Sequence, residues 1–286
     1  MGIVNVTSDS FSDGGLYETP ERAIGHAIQL LEQGADILDI GGESTRPGSS
    51  LGTVSAQQEQ DRVLPVIEGV LRAQPTAVIS VDTYKASVAT AALARGAEIV
   101  NDVSGGSWDA AMLPTLAAHR CGAVLMHTRG RPNEWATLPP LVDPVAVVCR
   151  ELAGIAQSAQ AMGIAPERIV LDPGFGFGKR GDENFALLAG LTHLATLGFP
   201  LLSAPSRKGF LARAVAERMD VVGAPFKPAG GLGGDVGSGL EHDSRLAATV
   251  AAVTASVLKG AHIVRVHDVR PVVEAVAAAD AILASE

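Results

Sequence analysis

Eight short runs of Val, Ile and Leu recur along the chain, and most are followed by a longer amphipathic stretch. The runs are GIVNV (2–6), DILDIG (36–41), AVISVD (77–82), AEIVND (97–102), GAVLMH (122–127), RIVLDP (168–173), FPLLSA (199–204) and HIVRVH (262–267). They are apolar almost without alternation, as strands covered on both faces are. Between them lie helix-like segments such as TPERAIGHAIQLLEQG, TYKASVATAALARG and PVAVVCRELAGIAQSAQAMG, and several stop at Gly. Thr19, Pro20 and Glu21 read as the cap, first-turn Pro and first-turn acid of the first helix. Eight strand–helix alternations predict an α/β fold, a (β/α)8 TIM barrel, as a single domain over 1–286. A doubly wound open sheet is the competing arrangement. One segment breaks the rhythm: MDVVGAPFKPAGGLGGDVGSG (219–239) is rich in Gly and Pro and reads as a mobile insertion after strand 7.

Composition narrows the function classes. With 47% hydrophobic but only 4% aromatic residues, the core must be built from Ala, Val, Leu and Ile. A net charge of -9 argues against nucleic acid as a partner, because phosphate neutralisation needs clustered Lys and Arg. Cys121 and Cys149, the only thiols, make neither a disulfide framework nor a metal knuckle and read as buried small residues. No apolar run is long enough to cross a bilayer. The N-terminus shows no charged n-region with an h-region, so no signal peptide is expected, and Val6 stands where a myristoylation signal wants Ser or Thr. A cytoplasmic protein without membrane contact is the expectation.

In a barrel the active site lies at the C-terminal ends of the strands. Polar residues gather there: Asn5, Asp39, Asp82, Asn101 with Asp102, His127, Asp172, and Arg265 with His267, while Ser206–Lys208 follow the seventh run. Any one Asp in such a place is ordinarily a turn or cap residue. Together they line a mouth suited to a ligand edge full of N–H donors, since a carboxylate accepts two parallel hydrogen bonds. Burying several carboxylates without donors or cations would be costly. Arg46, Arg207, Lys208, Arg265 and His267 read as an anion site, with Arg giving forked contacts to phosphate oxygens. Asn5 offers a neutral oxygen to Mg2+, which keeps several waters while bridging phosphates. No nucleophile motif such as GxSxG is present, and neither Cys sits in one. GFGFGK (174–179) lacks the Walker spacing and the Ser or Thr after its Lys, and the Gly cluster at 230–239 follows no strand. His26, His119, His193, His242 and His262 show no metal spacing.

The blocks GIVNVTSDSFSDGG, DILDIGGESTRPG, VDTYKASVATAALARGAEIVNDVSGG, VLMHTRGRP, RIVLDPGFGFGK, SRKGFL and RVHDV span almost the whole chain. In that order they resemble the dihydropteroate synthases of the folate pathway. The resemblance implies a transferase built as a (β/α)8 barrel, usually a homodimer. It would join 4-aminobenzoate to 6-hydroxymethyl-7,8-dihydropterin diphosphate and release pyrophosphate, by a dissociative path assisted by Mg2+. Carried over by position, Asp82, Asn101, Asp172 and Lys208 would form the pterin slot, with Met126 packing on the ring. Asn5, Arg46, Arg265 and His267 would hold the pyrophosphate and Mg2+. Thr45, Pro47, Phe177 and Ser206, with Phe11 from the first loop, would shape the aminobenzoate pocket, and Asp39 would help organise the loop region. TSDSFSDGG (7–15) would close over the leaving group, and sulfonamides would compete with aminobenzoate.

Three features depart from the family pattern. The first strand begins without the short lead-in usually seen, which would leave the barrel bottom less covered. Ala204 stands where Gly is usual before SRK, so its Cβ would narrow the slot. The 219–239 insertion is long and falls in the helix region expected near the dimer interface. Two competing readings remain: a non-catalytic pterin-binding paralogue, motivated by Ala204 and the short N-terminus, and a pterin-dependent methyltransferase barrel, which would share the fold and the Asp/Asn slot.

Overall fold

The computed structural model describes residues 1–6, 19–44, 54–221 and 242–285. Six strands form one parallel sheet in chain order: β1 (Gly2–Asn5), β2 (Ile37–Gly41), β3 (Val78–Asp82), β4 (Ile99–Asp102), β5 (Gly122–Met126) and β6 (Ile169–Asp172). A parallel pair, β7 (Leu202–Ser203) and β8 (Ile263–Val264), completes the set. Two bridges join the pieces, Leu171 to Leu201 and Gly2 to Val266. Hydrogen bonds cross both seams: Leu171 N–H donates to Pro200 O at 2.9 Å, and Ile3 N–H to Val266 O at 3.0 Å. The eight strands therefore close on themselves, with β8 beside β1. All eight expected runs contain strands, and closure removes the open-sheet alternative.

Helices wrap the outside. α1 (Pro20–Glu32), α2 (Ala56–Ala73), α3 (Ala86–Leu93), α4 (Met112–His119) and α5 (Pro144–Ala161) each follow one of the first five strands. α6 (Gly181–Ala189) and the short α7 (Leu191–Ala195) follow β6, α8 (Gly209–Val221) and α9 (His242–Leu258) follow β7, and α10 (Val269–Leu283) follows β8. Thr19 occupies the N-cap of α1 with extended backbone but makes no cap hydrogen bond to the helix. Its hydroxyl turns instead to the carboxyl of Glu21, which lies below its ordinary pKa chiefly through its own backbone N–H and then through Thr19. The insertion expected over 219–239 overlaps α8 at its start. Residues 219–221 continue the helical backbone of α8, and 222–241 lie outside the described residues.

Strand periodicity sorts the side chains into two layers. Leu38, Ile40, Ile79, Val81, Leu125 and Leu171 point outward and join the core beneath the helices. Wholly buried Ala27, Ala89, Ala92 and Ala159 let those helices approach closely, which is how so few aromatics suffice. Each buried Leu or Ile contributes about 1.5–3 kcal/mol. The alternate positions Ile37, Ile99, Val124, Val170, Leu202 and Ile263 point inward and, with Met1 and Ala204, fill the barrel. Ala204 is thus a member of the apolar plug. Among the described residues no helix is long and apolar enough to cross a membrane.

Candidate active site at the barrel mouth

Two positions beyond most of the inward-facing apolar residues the lumen turns polar. Asp39 follows Ile37, Asn101 follows Ile99, Asp172 follows Val170 and Arg265 follows Ile263, while Met126 follows Val124. Parallel register sets Asp82 beside Asn101 and Met126 beside Asp172. Asn5 ends β1 on the same inward parity. Seven of the expected site residues thereby share one end of the barrel, for a reason that lies in the period of two.

Asp39 is fully buried and anchors the group. It accepts hydrogen bonds from Ser80 Oγ at 2.6 Å, Asn101 Nδ2 at 2.9 Å and Arg265 Nε at 2.5 Å. These partners lie on strands or, for Arg265, just beyond β8, so among the described residues Asp39 organises the lumen; the loop residues it was expected to organise lie outside them. Arg265 also donates from Nη2 to Asp82 Oδ2 at 2.7 Å. Burial lowers the Arg265 pKa, but the charges of Asp39 and Asp82 outweigh it and leave the pKa raised. Burial lifts Asp82 from 3.8 to about 7 against the pull of Arg265, with Asp39 adding to the lift. Asp172 accepts the Gly174 N–H at 2.7 Å. Its pKa too is pushed up by burial and opposed by Lys208. Lys208 donates to Phe175 O and lies 4.7 Å over the Phe177 ring. Burial draws the Lys208 pKa down to about 8, opposed by Asp172.

The rim is more divided. Ser206 Oγ bonds His267 Nδ1 at 3.0 Å and accepts the His267 N–H at 3.2 Å, which fixes the imidazole. Ser206 and His267 thus form one unit, although the resemblance assigns them to different substrates. Phe177 packs edge-on against Trp135 at 5.2 Å, and Met126 is backed by Tyr84, Val103 and Trp108. Arg207 does not join the anion site. Its guanidinium pairs with both oxygens of Asp268, at 2.9 and 2.5 Å, and its N–H donates to Thr249 Oγ1, so both hold it toward the helices. Asp102 and His127 also leave the mouth. Each is one residue out of phase with its inward neighbour: Asp102 accepts from Ser104 and Gly106, and His127 Nε2 lies 2.8 Å from Glu151 of α5. Phe11, Thr45, Arg46 and Pro47, and the segment TSDSFSDGG, lie outside the described residues.

One buried group escaped the sequence reading. Lys179, set aside with GFGFGK as a failed nucleotide loop, is 6% exposed and binds three backbone carbonyls beside Asp172. The available signal was a lone Lys closing a Gly/Phe turn directly after a strand-end Asp.

Comparison with known proteins gives the family. The family described as pterin binding enzyme matches residues 1–267. The chain belongs to that family. Within it, the dihydropteroate synthase of Synechocystis sp. is 38% identical over 282 residues, covering 99% of this chain and 89% of that protein. The structure of Xanthomonas albilineans dihydropteroate synthase with 4-aminobenzoic acid matches with a TM-score of 0.82 at 41% identity, covering 99% of this chain and 92% of that one. Yersinia pestis dihydropteroate synthase in a sulfonamide drug complex matches at 0.85 with 35% identity, covering 99% and 93%. For this pterin-binding chain the flat, donor-rich edge inferred for the ligand has a natural owner.

The donor set for a metal is sparse. Among the described residues no group of three or more His, Cys, Asp or Glu could cage an ion. Asn5 brings a neutral amide oxygen to the end of β1, a donor chemistry compatible with Mg2+, which takes one or two protein oxygens beside phosphates and water.

Proposed function

We propose that the chain is a dihydropteroate synthase. It condenses 6-hydroxymethyl-7,8-dihydropterin diphosphate with 4-aminobenzoate, giving 7,8-dihydropteroate and pyrophosphate. The observation that carries this is the convergence of Asp82, Asn101, Asp172, Lys208 and Arg265 at one mouth of a closed barrel.

Each group has work that its surroundings suit. Asp172 accepts the 2-amino and N3–H donors of the pterin, while Lys208 donates to the opposite, carbonyl side. Met126, held against Tyr84 and Trp108, packs on the ring face. Arg265 and His267 bind the diphosphate, with His267 oriented by Ser206. The bond between the pterin methylene and its oxygen breaks, and the electron pair leaves with pyrophosphate. The aniline nitrogen attacks the methylene and then loses a proton. Buried carboxylates stabilise positive charge on the ring as the leaving group departs. When bound at Asn5, Mg2+ would neutralise the negative charge of the diphosphate. The aniline needs no strong base against so electrophilic a carbon. Phe177, with Thr45, Pro47 and Phe11, would form the aminobenzoate pocket and Arg46 would join the diphosphate site. On this reading the Ala204 methyl, buried in one cluster with Met1, Val124 and Leu202, leaves room for the pterin.

The test is pyrophosphate release with both substrates and Mg2+. Turnover that requires aminobenzoate supports the reading; tight pterin binding without turnover replaces it with a binding paralogue. Sulfonamides, which share the aniline, are expected to raise the apparent KM for aminobenzoate without lowering kcat. On this reading the chain works as a cytoplasmic homodimer, which sedimentation of the purified protein checks.

A further inference from the structure

The turn between β6 and α6 supplies much of the proposed slot. Asp172 precedes it, Phe177 lies within it, and its Phe175 carbonyl receives Lys208. Such a turn has no strand ladder, so its buried carbonyls need other partners. One side chain provides them. Lys179 Nζ lies 2.7 Å from Gly174 O, 3.2 Å from Phe177 O and 3.1 Å from His127 O. Three acceptors match the three N–H bonds of an ammonium group. A neutral amine has two and would turn its lone pair toward a carbonyl.

Two of those carbonyls belong to the turn. The third stands at the end of β5, one residue beyond Met126. A single cation therefore ties the strand carrying Met126 to the turn carrying Phe177. The packing there leaves no slack, because Gly174 has φ +67° and a Cβ on it would stand 2.0 Å from His127 O. Asn184 of α6 holds the far side: it accepts the Gly176 N–H at 2.7 Å and donates to Lys179 O at 3.2 Å and Arg180 O at 2.7 Å.

We infer, resting on the pterin reading above, that Lys179 is a positioning residue of the pterin slot: its ammonium locks the Gly174–Phe177 turn to the end of β5 and gives Asp172 a positive neighbour. Three cations face Asp172: Lys208 ahead of α8, Lys179 in the turn and Arg265 beyond β8. The charged and titratable groups facing Lys179 are Asp172, Lys208, His127 at the end of β5, Arg129 after it and Glu151 of α5. Burial dominates for both groups, raising Asp172 and lowering Lys179, and their mutual attraction opposes each shift. Without the Lys179 charge, Asp172 takes up its proton at a higher pH and loses acceptor capacity sooner on acidification.

The experiment follows fluorescence quenching of 6-hydroxymethylpterin, which carries no phosphate, between pH 5 and pH 8. It uses the full chain, Lys179→Met and Lys179→Gln, with circular dichroism to check folding. A wild-type chain that does not bind this pterin overturns the pterin reading itself and the inference with it. Where the wild type binds, Lys179→Met should bind roughly tenfold more weakly at neutral pH, the loss of one charged hydrogen-bonding group, with its acid limb moved to higher pH. Lys179→Gln keeps two N–H donors without the charge, so it should recover part of the affinity yet retain the moved limb. Variants that bind within about twofold of the wild type overturn the inference. So does weaker binding with an unmoved acid limb, or failure of both variants to fold, which would assign Lys179 to the barrel's stability and not to the slot.

Discussion

Replacing Asp82 with Asn should stabilise the empty protein, by an amount that grows with pH. The Asp82 side chain is 12% exposed at the top of β3. Burial raises its pKa from 3.8 to about 7; Arg265 opposes this, while Asp39, Glu59 and Asp102 reinforce it. The folded state therefore keeps a proton that the unfolded chain releases near pH 4. Between those two values the native state binds more protons, so stability falls as pH rises through the window and levels off above it. The difference corresponds to about 4 kcal/mol in total, at about 1.4 kcal/mol per pH unit. The pull of Arg265 is already contained in the raised value. Protonated Asp and Asn carry the same charge, so the two proteins should be similar near pH 4. The gap should then open by about 3 kcal/mol between pH 5 and pH 8. Urea unfolding followed through Trp108 and Trp135 fluorescence measures it. Taking the difference between wild type and variant cancels the titration of groups not in contact with Asp82. The same variant should bind pterin worse, a trade of stability against function. A stability difference that does not change with pH would refute the reasoning. It would mean that the ion pair with Arg265 outweighs burial and keeps Asp82 ionised throughout.

Three other perturbations probe the neighbouring groups. Asp172→Asn turns one acceptor into a donor facing a donor and should weaken pterin binding by about 3 kcal/mol, roughly 100-fold, in calorimetric titration; unchanged affinity would remove Asp172 from the slot. The Lys208 pKa is drawn down to about 8, so the ammonium is lost as pH rises through that value. Pterin affinity should then fall above about pH 8 in the wild type, and Lys208→Gln should abolish that alkaline limb while binding more weakly throughout. Gly174→Ala forces a positive φ and a contact with His127 O, and should cost about 3 kcal/mol or more in urea denaturation; a loss below about 1 kcal/mol would show that the turn yields.

The barrel was legible because its signal is local. Each strand announces itself as an apolar run, and a regular alternation of runs and helices leaves few topologies open. Which strand-end residues face inward was half legible. Asn101 and Asp102 are adjacent, as are Met126 and His127, and adjacent strand residues cannot share a face. Applying that period at the strand ends would have excluded Asp102 and His127. Other features depend on distant partners. Arg265 meets Asp39 and Asp82 across separations of 226 and 183 residues, and nothing near Arg265 in the chain foretells two carboxylates. Arg207 looked equivalent to Lys208 in SRK, yet the chain takes positive φ at Arg207 and its side chain turns to Asp268. Lys179 was discounted because the motif considered for it was a nucleotide loop. Three carbonyls brought together by β5 and the β6 turn are what give it a partner set.

The hydrogen bonds of the three lumen carboxylates also bear on why a cationic path suits this mouth. Asp39 commits both oxygens to Ser80, Asn101 and Arg265, so its role is to hold the others in place. Asp82 and Asp172 each commit one oxygen, Oδ2 to Arg265 and Oδ1 to Gly174. Their remaining oxygens accept no hydrogen bond from the described residues. Two carboxylates that burial disfavours in the empty cavity gain most from a partner that brings N–H donors or positive charge. A pterin edge brings the donors, and in the proposed reaction the ring brings charge only as its diphosphate leaves. Stabilisation that is largest at that moment lowers the barrier, whereas stabilisation already complete in the ground state would not. The burial that makes Asp82 a liability in the free protein is, on this account, what gives it leverage on the departing diphosphate.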